Sequence, residues 1–210
     1  GLMVNLPGGG GGGGRGGGGG GRGGGAPAVN PAQLQADFDQ FMTESRAYNA
    51  GRDAGTTKLD LIYEAMRPLF KREIPAIIPA GSEQQIRNAV AFGEKWNVGV
   101  VISGVGEAWK VRQFLAEKQI PVILGSIESA PGDNQPYDAI YAQPGLLYDA
   151  GVKFAFSTGQ GSNARHVAFH AALAVAYGLK PEGALKALTI WPAEILGADK
   201  QIGTIAQGKL

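Results

Sequence analysis

The densest group of side chains suited to chemistry follows directly after an apolar run at residues 152–156. The group breaks that run with hydroxyl, amide, imidazole and guanidinium groups, and an alanine-rich segment of strong helix formers comes next. Its members are Ser157, Thr158, Gln160, Asn163, Arg165 and His166. Hydrogen-bonding groups around one positive charge suit a polar molecule or a carboxylate. We therefore predict these residues as candidate ligand-binding residues, although most loops of this kind only face solvent.

The two histidines of the chain, His166 and His170, are four residues apart. On a helix they would face the same way, as in zinc-binding pairs. A zinc site needs further ligands, and the nearest carboxylates, Asp149 and Glu182, belong to the far ends of neighbouring predicted elements. We therefore expect packing or capping roles for both histidines, with His166 nearer to any site because it follows the polar loop.

Other catalytic patterns are weaker. Ser126 and Ser129 have no histidine or lysine at the spacing of a nucleophile and its base. Glu128 and Asp133 could form a carboxylate pair for acid–base catalysis, but a polar loop normally carries such residues for solubility. Glu107 begins a predicted helix, where the helix dipole favours an acidic residue without any catalytic role.

The elements that must position these residues alternate regularly along the chain. Apolar runs at 74–78, 98–102, 120–124 and 152–156 are separated by predicted helices at 83–96, 107–118 and 141–149. Strands joined by helices of this length pair in parallel, and runs that are apolar throughout indicate strands covered on both faces. The pattern predicts an α/β fold, either half of a (β/α)8 barrel or part of a doubly wound sheet. Periodicity alone does not choose between these two folds.

Two helices and a glycine block precede this pattern. Residues 8–25 are glycine except for Arg15 and Arg22, so we assign 1–30 to a flexible, glycine-rich segment. Asn30 and the following proline predict a helix over 31–48, and a second helix is predicted over 58–70. The resulting division is 1–30, 31–200 for the main domain, and 201–210 for a separate final segment.

The charge balance excludes several classes of partner. Nineteen basic and 18 acidic residues give a net charge of +1, so no strong field attracts nucleic acid or an anionic membrane. No apolar run approaches the ~20 residues that span a bilayer, and the start has no signal-peptide pattern. The absence of cysteine excludes disulfides and thiolate metal sites. We expect a soluble protein of the cytoplasm or periplasm that binds neither nucleic acid nor membrane.

The end of the chain carries a recognisable pair of segments. Residues 180–197 read KPEGALKALTIWPAEILG, and residues 202–210 read IGTIAQGKL. Together they closely resemble the C-terminal signature of the amidohydrolase superfamily, particularly its imidazolonepropionase-like and prolidase-like branch. Residues 106–110 and 120–125 are also similar to this family. The resemblance covers about residues 59–210 and implies the second half of a TIM-like (β/α)8 barrel, followed by the start of a small β-sandwich.

The resemblance also implies a chemistry and the positions that would carry it. In the family, zinc or another divalent metal at the carboxyl ends of the strands activates water for attack on an amide-type C–N bond. The ligands of the fifth strand, often His-Ala-His, align with Pro79, Ala80 and Gly81. The histidine of the sixth strand aligns with Gly104, and the aspartate of the eighth with Gly159. None of these side chains can bind a metal, so the resemblance implies a barrel without its usual metal centre and no metal cofactor in this chain.

Two hypotheses of different classes follow. In the first, the protein hydrolyses C–N bonds with ligands supplied from outside this chain, or with an altered mechanism. In the second, it is a non-catalytic binding or interaction module, such as a partner of an active amidohydrolase. Either class suits a small polar or peptide-like ligand and a homo- or hetero-oligomer. The metal content of the intact protein discriminates between them.

Overall fold

The described residues form one parallel sheet with helices packed against it. A computed structural model describes residues 1–7, 30–104, 106–127 and 135–210. Its strands are β1 (Leu2–Met3), β2 (Ala76–Pro79), β3 (Val100–Ser103), β4 (Val122–Leu124) and β5 (Phe154–Phe156). Each neighbouring pair is parallel, with Ala76 opposite Val100 and Val122 opposite Phe154. The predicted α/β class with parallel strands is confirmed.

The order of the strands in the sheet is the order of the chain, β1-β2-β3-β4-β5. A doubly wound sheet instead reverses its order at a switch point, where the chain begins to add strands on the other side. The described strands contain no such reversal. Each βα unit therefore adds its strand to the same edge of the sheet.

The start of the chain differs from the prediction. We assigned residues 1–30 to a flexible segment, but Leu2 and Met3 pair with Ala76 and Ile77, and Val4 is buried. The apolar run Leu2–Val4 is too short to predict a strand from periodicity. The sheet edge offered by β2 is what orders it, and this edge is formed by residues far along the chain. The glycine block, residues 8–29, lies outside the described residues.

The helices occupy most of the predicted positions. They are α1 (Pro31–Asp53), α2 (Leu61–Glu64), α3 (Arg67–Phe70), α4 (Glu83–Trp96), α5 (Arg112–Glu117), α6 (Ala139–Asp149), α7 (Val167–Ala176), α8 (Pro181–Leu188) and α9 (Ile190–Leu196), with 3-10 turns at Ala108–Val111 and Gly161–His166. Asn30 caps α1 as predicted, since its side chain accepts the N–H of Ala32 at 3.0 Å. Across the described parts of the chain, none of the helices combines the length and apolar character that crossing a bilayer demands.

Two predicted helices have different lengths in the structure. The helix predicted over 58–70 is interrupted between α2 and α3. Pro68 has no N–H to donate to the carbonyl of Glu64, so a continuous helix would lose a backbone hydrogen bond at this point. The first helix runs five residues past its predicted end at Tyr48, to Asp53. Its last turns are polar but compatible with a helix, which is why sequence pattern alone placed them in a linker.

The two faces of the sheet are covered unequally. One face carries alternate strand residues such as Ile78, Ile102 and Leu124, which belong to the main core together with the helices. The opposite face, called here the second face, is formed by Ile77, Val101, Ile123 and Ala155. These residues pack with Ile195 of α9 in a small separate cluster, and Ile77 and Ile123 are half-buried. The helices therefore cover one face of the sheet densely and the second face thinly.

Residues 201–210 contain turns and no strand. The start of a β-sandwich at this end of the chain stays a prediction.

Candidate functional site

The carboxyl ends of β2 to β5 lie side by side at one edge of the sheet. Backbone hydrogen bonds continue just past the strands, from the N–H of Ala80 to Ser103, from Gly104 to Ile123 and from Ser157 to Leu124, each at 3.0 Å. The residues at the ends of β2, β3 and β5 are called here the rim. They are Pro79, Ala80 and Gly81 at the end of β2, Gly104 after β3, and residues 157–159 after β5. This arrangement brings together the loops in which the sequence predicted a site.

At the end of β2, backbone atoms of the rim connect two loops. The carbonyl of Gly81 accepts the N–H of Gly106 at 3.2 Å and the N–H of Glu107 at 3.1 Å. The N–H of Gly81 donates to the side-chain oxygen of Gln85 at 2.8 Å. Pro79 is exposed, and its side chain has no atom that binds a metal. The polar groups at this end of the rim thus join the loop after β2 to the loop after β3.

At two further positions of the rim, Gly104 and Gly159, the backbone conformation favours glycine. Gly104 has φ +72° and Gly159 has φ +70°, both in the left-handed region. A Cβ at either position would meet no described atom within 4 Å, so the space is open but the backbone conformation is unfavourable. Most residues with a Cβ are strained in this region, although aspartate and histidine adopt it more readily than others. The local fold is therefore adapted to glycine at two positions where the resemblance predicts ligands.

The donor set of the described residues does not fit a metal centre. No three His, Cys, Asp or Glu side chains converge anywhere in the described ranges. Zinc sites in proteins use three or four such ligands. Proline and glycine at the rim supply none of them, so no step that runs through a metal can be built from these residues.

The loop that follows β5, residues 157–166 and called here the rim loop, is organised by its own side chains. The Ser157 hydroxyl accepts the N–H of Gly159 at 3.1 Å, and the Thr158 hydroxyl donates to the carbonyl of Gln160 at 2.9 Å. Gln160 is exposed and Asn163 is half-buried. The two hydroxyls hold the turn. The Ser157 hydroxyl can still donate one hydrogen bond and accept another, whereas the Thr158 hydroxyl can only accept further hydrogen bonds.

The two histidines lie in different environments. His166 ends the 3-10 turn, is half-buried, and its Nε2 accepts a hydrogen bond from Nε of exposed Arg165 at 3.2 Å. This bond requires Nε2 to be the unprotonated ring nitrogen. His170 is 1% exposed, inside α7. This burial agrees with the packing role expected for His170.

Glu107 has a structural role that the sequence did not reveal. Its carboxylate accepts the N–H of Glu83, the first residue of α4, at 3.0 Å, and the ammonium of Lys110 at 2.7 Å. Gln135 also donates to it at 3.5 Å. The hydrogen bond from Lys110, followed by that from the Glu83 N–H, lowers the pKa of Glu107 below its ordinary value. The carboxylate stabilises the start of α4, whereas the sequence suggested the start of its own helix.

The remaining catalytic candidates gain no support. Glu128, Ser129 and Asp133 lie outside the described residues. Ser126 is half-buried after β4.

Among known proteins, solved structures of amidohydrolases are similar to this chain. No family model and no curated protein matches the chain. The crystal structure of an amidohydrolase from Thermotoga maritima matches with a TM-score of 0.72 and 28% identity, over 87% of this chain and 49% of that one. The chain is related to the amidohydrolase superfamily. The relationship predicted from residues 180–210 is thereby confirmed. This chain spans about half the length of the amidohydrolase that it matches.

Two further solved structures share the fold of this chain at lower sequence identity. A prolidase complexed with N-methylphosphonate-L-proline matches with a TM-score of 0.50 and 17% identity, covering 70% of this chain and 40% of that chain. A further amidohydrolase matches with a TM-score of 0.51 and 19% identity, covering 64% of this chain and 36% of that chain. At these identities the likeness concerns the fold alone.

One cavity of this chain lies away from the rim. It measures about 730 Å³ and lies at the amino ends of the strands, where Pro75, Gly99 and Pro121 contribute to its wall. Two of its charged lining residues, Lys118 and Glu94, form an ion pair at 2.6 Å. Residue chemistry and strand polarity, rather than cavity size, therefore locate the candidate site at the rim.

Proposed function

We propose that this chain forms the second half of a TIM-like barrel. We further propose that it binds a small polar or peptide-like ligand at the rim, without a metal centre of its own. The sheet in chain order and the thin covering of the second face support the half-barrel. In a closed barrel the second face would point inward, and β1 would be the fourth strand. The rim would then surround the mouth of the barrel.

The rim's residue types carry the functional part of the proposal. Pro79, Gly81, Gly104 and Gly159 stand where relatives would hold metal ligands, and two of these glycines have a left-handed backbone. The usual activation of water by a metal therefore has no ligands in the described part of this chain. We infer that C–N hydrolysis is lost or altered, and that binding is the function retained.

The ligand chemistry follows from the rim loop. Ser157 can still donate one hydrogen bond, Thr158 can accept one, and Arg165 offers an exposed positive charge beside His166. A guanidinium recognises a carboxylate through two parallel hydrogen bonds. A dipeptide with a free carboxyl group is thus the simplest ligand for this loop.

The second candidate function is hydrolysis of C–N bonds with ligands from outside this chain. The thinly covered second face favours it, because Ile77 and Ile123 are half-buried there and have space to pack against a further part of a barrel. Such a part would hold the ligands that the family places after its first strand.

A metal and activity measurement on the intact protein tests the choice. We expect less than one divalent ion per chain after purification without chelator, and no zinc-dependent hydrolysis of Xaa-Pro dipeptides. Tight binding of one or more ions per chain, with hydrolysis that is lost on chelation, would establish the second candidate.

Binding at the rim loop is tested by charge removal. Arg165→Gln is expected to weaken the binding of a glycyl-proline probe about tenfold, through loss of a charge-assisted contact. Arg87→Gln is the matched control, because Arg87 is an exposed arginine of α4 that pairs with Glu83. Equal affinities for the two variants in calorimetry would count against the rim-loop site.

A further inference from the structure

The first turn of α7 presents a phenylalanine ring to solvent directly after the rim loop. Phe169 is 69% exposed, whereas Ala171 and Ala174 on the inner side of the helix are buried. No lysine, arginine, aspartate or glutamate occurs from residue 167 to 179, although the outer face of a surface helix is normally polar. Packing into the core does not account for this ring, and its place beside the rim loop points to contact with a ligand.

The Phe169 ring is oriented by a residue of the rim loop. Its centroid lies 6.1 Å from that of the His166 ring at an interplanar angle of 80°, an edge-to-face arrangement. His166 is half-buried, and its Nε2 accepts the hydrogen bond from Arg165 Nε. The imidazole thus connects the phenyl ring to the guanidinium. The three side chains form one continuous surface, called here the rim-loop patch.

The guanidinium of the rim-loop patch keeps most of its donors. A guanidinium has five N–H groups, and the bond to His166 uses only the one on Nε of Arg165. Among the described residues no carboxylate pairs with Arg165, whereas Arg67 and Arg87 form ion pairs with acidic residues. The two terminal nitrogens of Arg165 are therefore available to bind a carboxylate through parallel hydrogen bonds.

A positive charge and an exposed ring on one surface select a particular combination of groups in a ligand. The C-terminal residue of a peptide carries its carboxylate and its side chain on the same Cα atom, so the two groups can contact neighbouring sites together. The carboxylate is complementary to the guanidinium, and an aromatic side chain can pack against the exposed phenyl ring. A C-terminal glycine would make only the first of these contacts.

We propose that Phe169 gives the rim loop its side-chain specificity, by favouring peptides whose C-terminal residue is aromatic. The carboxylate of the peptide binds the terminal nitrogens of Arg165, and the aromatic side chain packs against Phe169. This inference rests on the proposed function, because it requires a carboxylate bound at Arg165. It adds a preference among peptides that the charge alone does not produce.

Calorimetry on the intact protein with three probes tests the proposal. Glycyl-phenylalanine has both groups, glycyl-glycine has the carboxylate alone, and glycyl-phenylalaninamide has the ring alone. We expect wild type to bind glycyl-phenylalanine about three- to tenfold more tightly than glycyl-glycine, the range of one aromatic pair. The amide is expected to bind about tenfold more weakly than glycyl-phenylalanine, because it lacks the charge-assisted contact.

Phe169→Ala is expected to remove the preference, so that both dipeptides bind with the affinity of wild type for glycyl-glycine. The ring is largely exposed, so we expect this variant to keep the fold, and its thermal unfolding temperature is measured as a check. Ile62→Ala is the matched control, because Ile62 is 67% exposed on α2. This variant is expected to change the affinity for neither dipeptide.

The outcomes separate the specificity of Phe169 from the proposed function. If wild type binds the two dipeptides equally, or if Phe169→Ala retains the preference, the role of Phe169 is overturned while binding at the rim loop is retained. If glycyl-phenylalaninamide binds as tightly as glycyl-phenylalanine, the carboxylate contact is overturned. If neither dipeptide binds saturably, the rim-loop site itself is overturned, and the inference fails with it.

Discussion

At the scale of single residues, the rim is shaped by backbone conformation as much as by side-chain type. Gly104 and Gly159 have φ values of +72° and +70°, which other residues adopt at a cost. A reversion to the ligands of relatives at these positions would meet this cost in addition to the need for neighbouring ligands. The backbone conformation and the side-chain types of the rim thus both disfavour metal-binding residues at these positions.

We predict that Gly104→Ala lowers the free energy of unfolding by about 1–2 kcal/mol, because alanine is forced into the left-handed region. The matched control is Gly161→Ala, since a Cβ at Gly161 also meets open space but φ there is not positive. Chemical denaturation of both variants measures the difference. Equal stability of the two variants would show that the backbone at Gly104 relaxes without cost.

Glu107 provides a pH-dependent prediction at the same scale. Its pKa is held below the ordinary value of 4.5 by Lys110 and the Glu83 N–H. A carboxyl group whose pKa is lower in the folded state stabilises the fold above its unfolded pKa, and this stabilisation is lost as the pH falls through the folded pKa. Glu107→Gln is therefore expected to cost about 1 kcal/mol at pH 7 and progressively less as the pH falls below the ordinary glutamate pKa and through the lower pKa of the folded state.

Denaturation curves at several pH values check the Glu107 prediction. Glu94→Gln serves as the control, because Glu94 pairs with Lys118 on an exposed surface and is expected to change stability very little. A loss in Glu107→Gln that is the same at pH 3 and pH 7 would mean that packing, and not the charge, is responsible.

At the scale of secondary-structure elements, the sequence pattern predicted the bounds of a helix correctly where the first turn of that helix is capped by nearby residues. Helix α4 occupies its predicted residues, and its first turn carries a capping box in which Ser82 and Gln85 satisfy backbone N–H groups reciprocally. The 107–118 segment was predicted as one helix but begins as a 3-10 turn before α5. There the backbone N–H of Trp109 donates to Gln143 at 3.2 Å, a contact with a distant element that no local pattern contains.

Ser82→Ala is predicted to destabilise the protein by about 1 kcal/mol through loss of the cap. Ser162→Ala is a suitable comparison, because Ser162 is exposed in the 3-10 turn of the rim loop. Thermal unfolding followed by circular dichroism measures both. If Ser82→Ala unfolds at the same temperature as Ser162→Ala, the Glu107 carboxylate alone is sufficient to cap α4.

At the scale of the whole molecule, the sheet has two free edges and one thinly covered face. The outer edges of β1 and β5 pair with no other described strand. Parallel sheets are normally covered on both faces, and exposed edges promote association. The 210 residues therefore present surfaces that a closed barrel would bury.

We predict that residues 1–210 expressed alone aggregate or form a molten state. Size-exclusion chromatography and near-UV circular dichroism of the purified chain test this. A monomer with a sharp cooperative unfolding transition would contradict the prediction and show that the half-barrel folds by itself.

The sequence by itself determined the features that depend on local chemistry. Alternating apolar runs and helical segments established the parallel α/β class, and the segments at 180–210 indicated the amidohydrolase relationship. Residue types at Pro79 and Gly104 were enough to predict a rim without metal ligands, a prediction that still awaits measurement. The rim-loop residues were also identified in this way, since a polar loop after a buried strand is a local pattern.

Only the tertiary structure decided the features that depend on distant partners. The edge strand β1 exists because β2 provides its hydrogen bonds, and Glu107 caps α4 because two loops meet through the carbonyl of Gly81. Such contacts join residues far apart in sequence, and they form only when the packing of the sheet and its helices brings those residues within hydrogen-bonding distance.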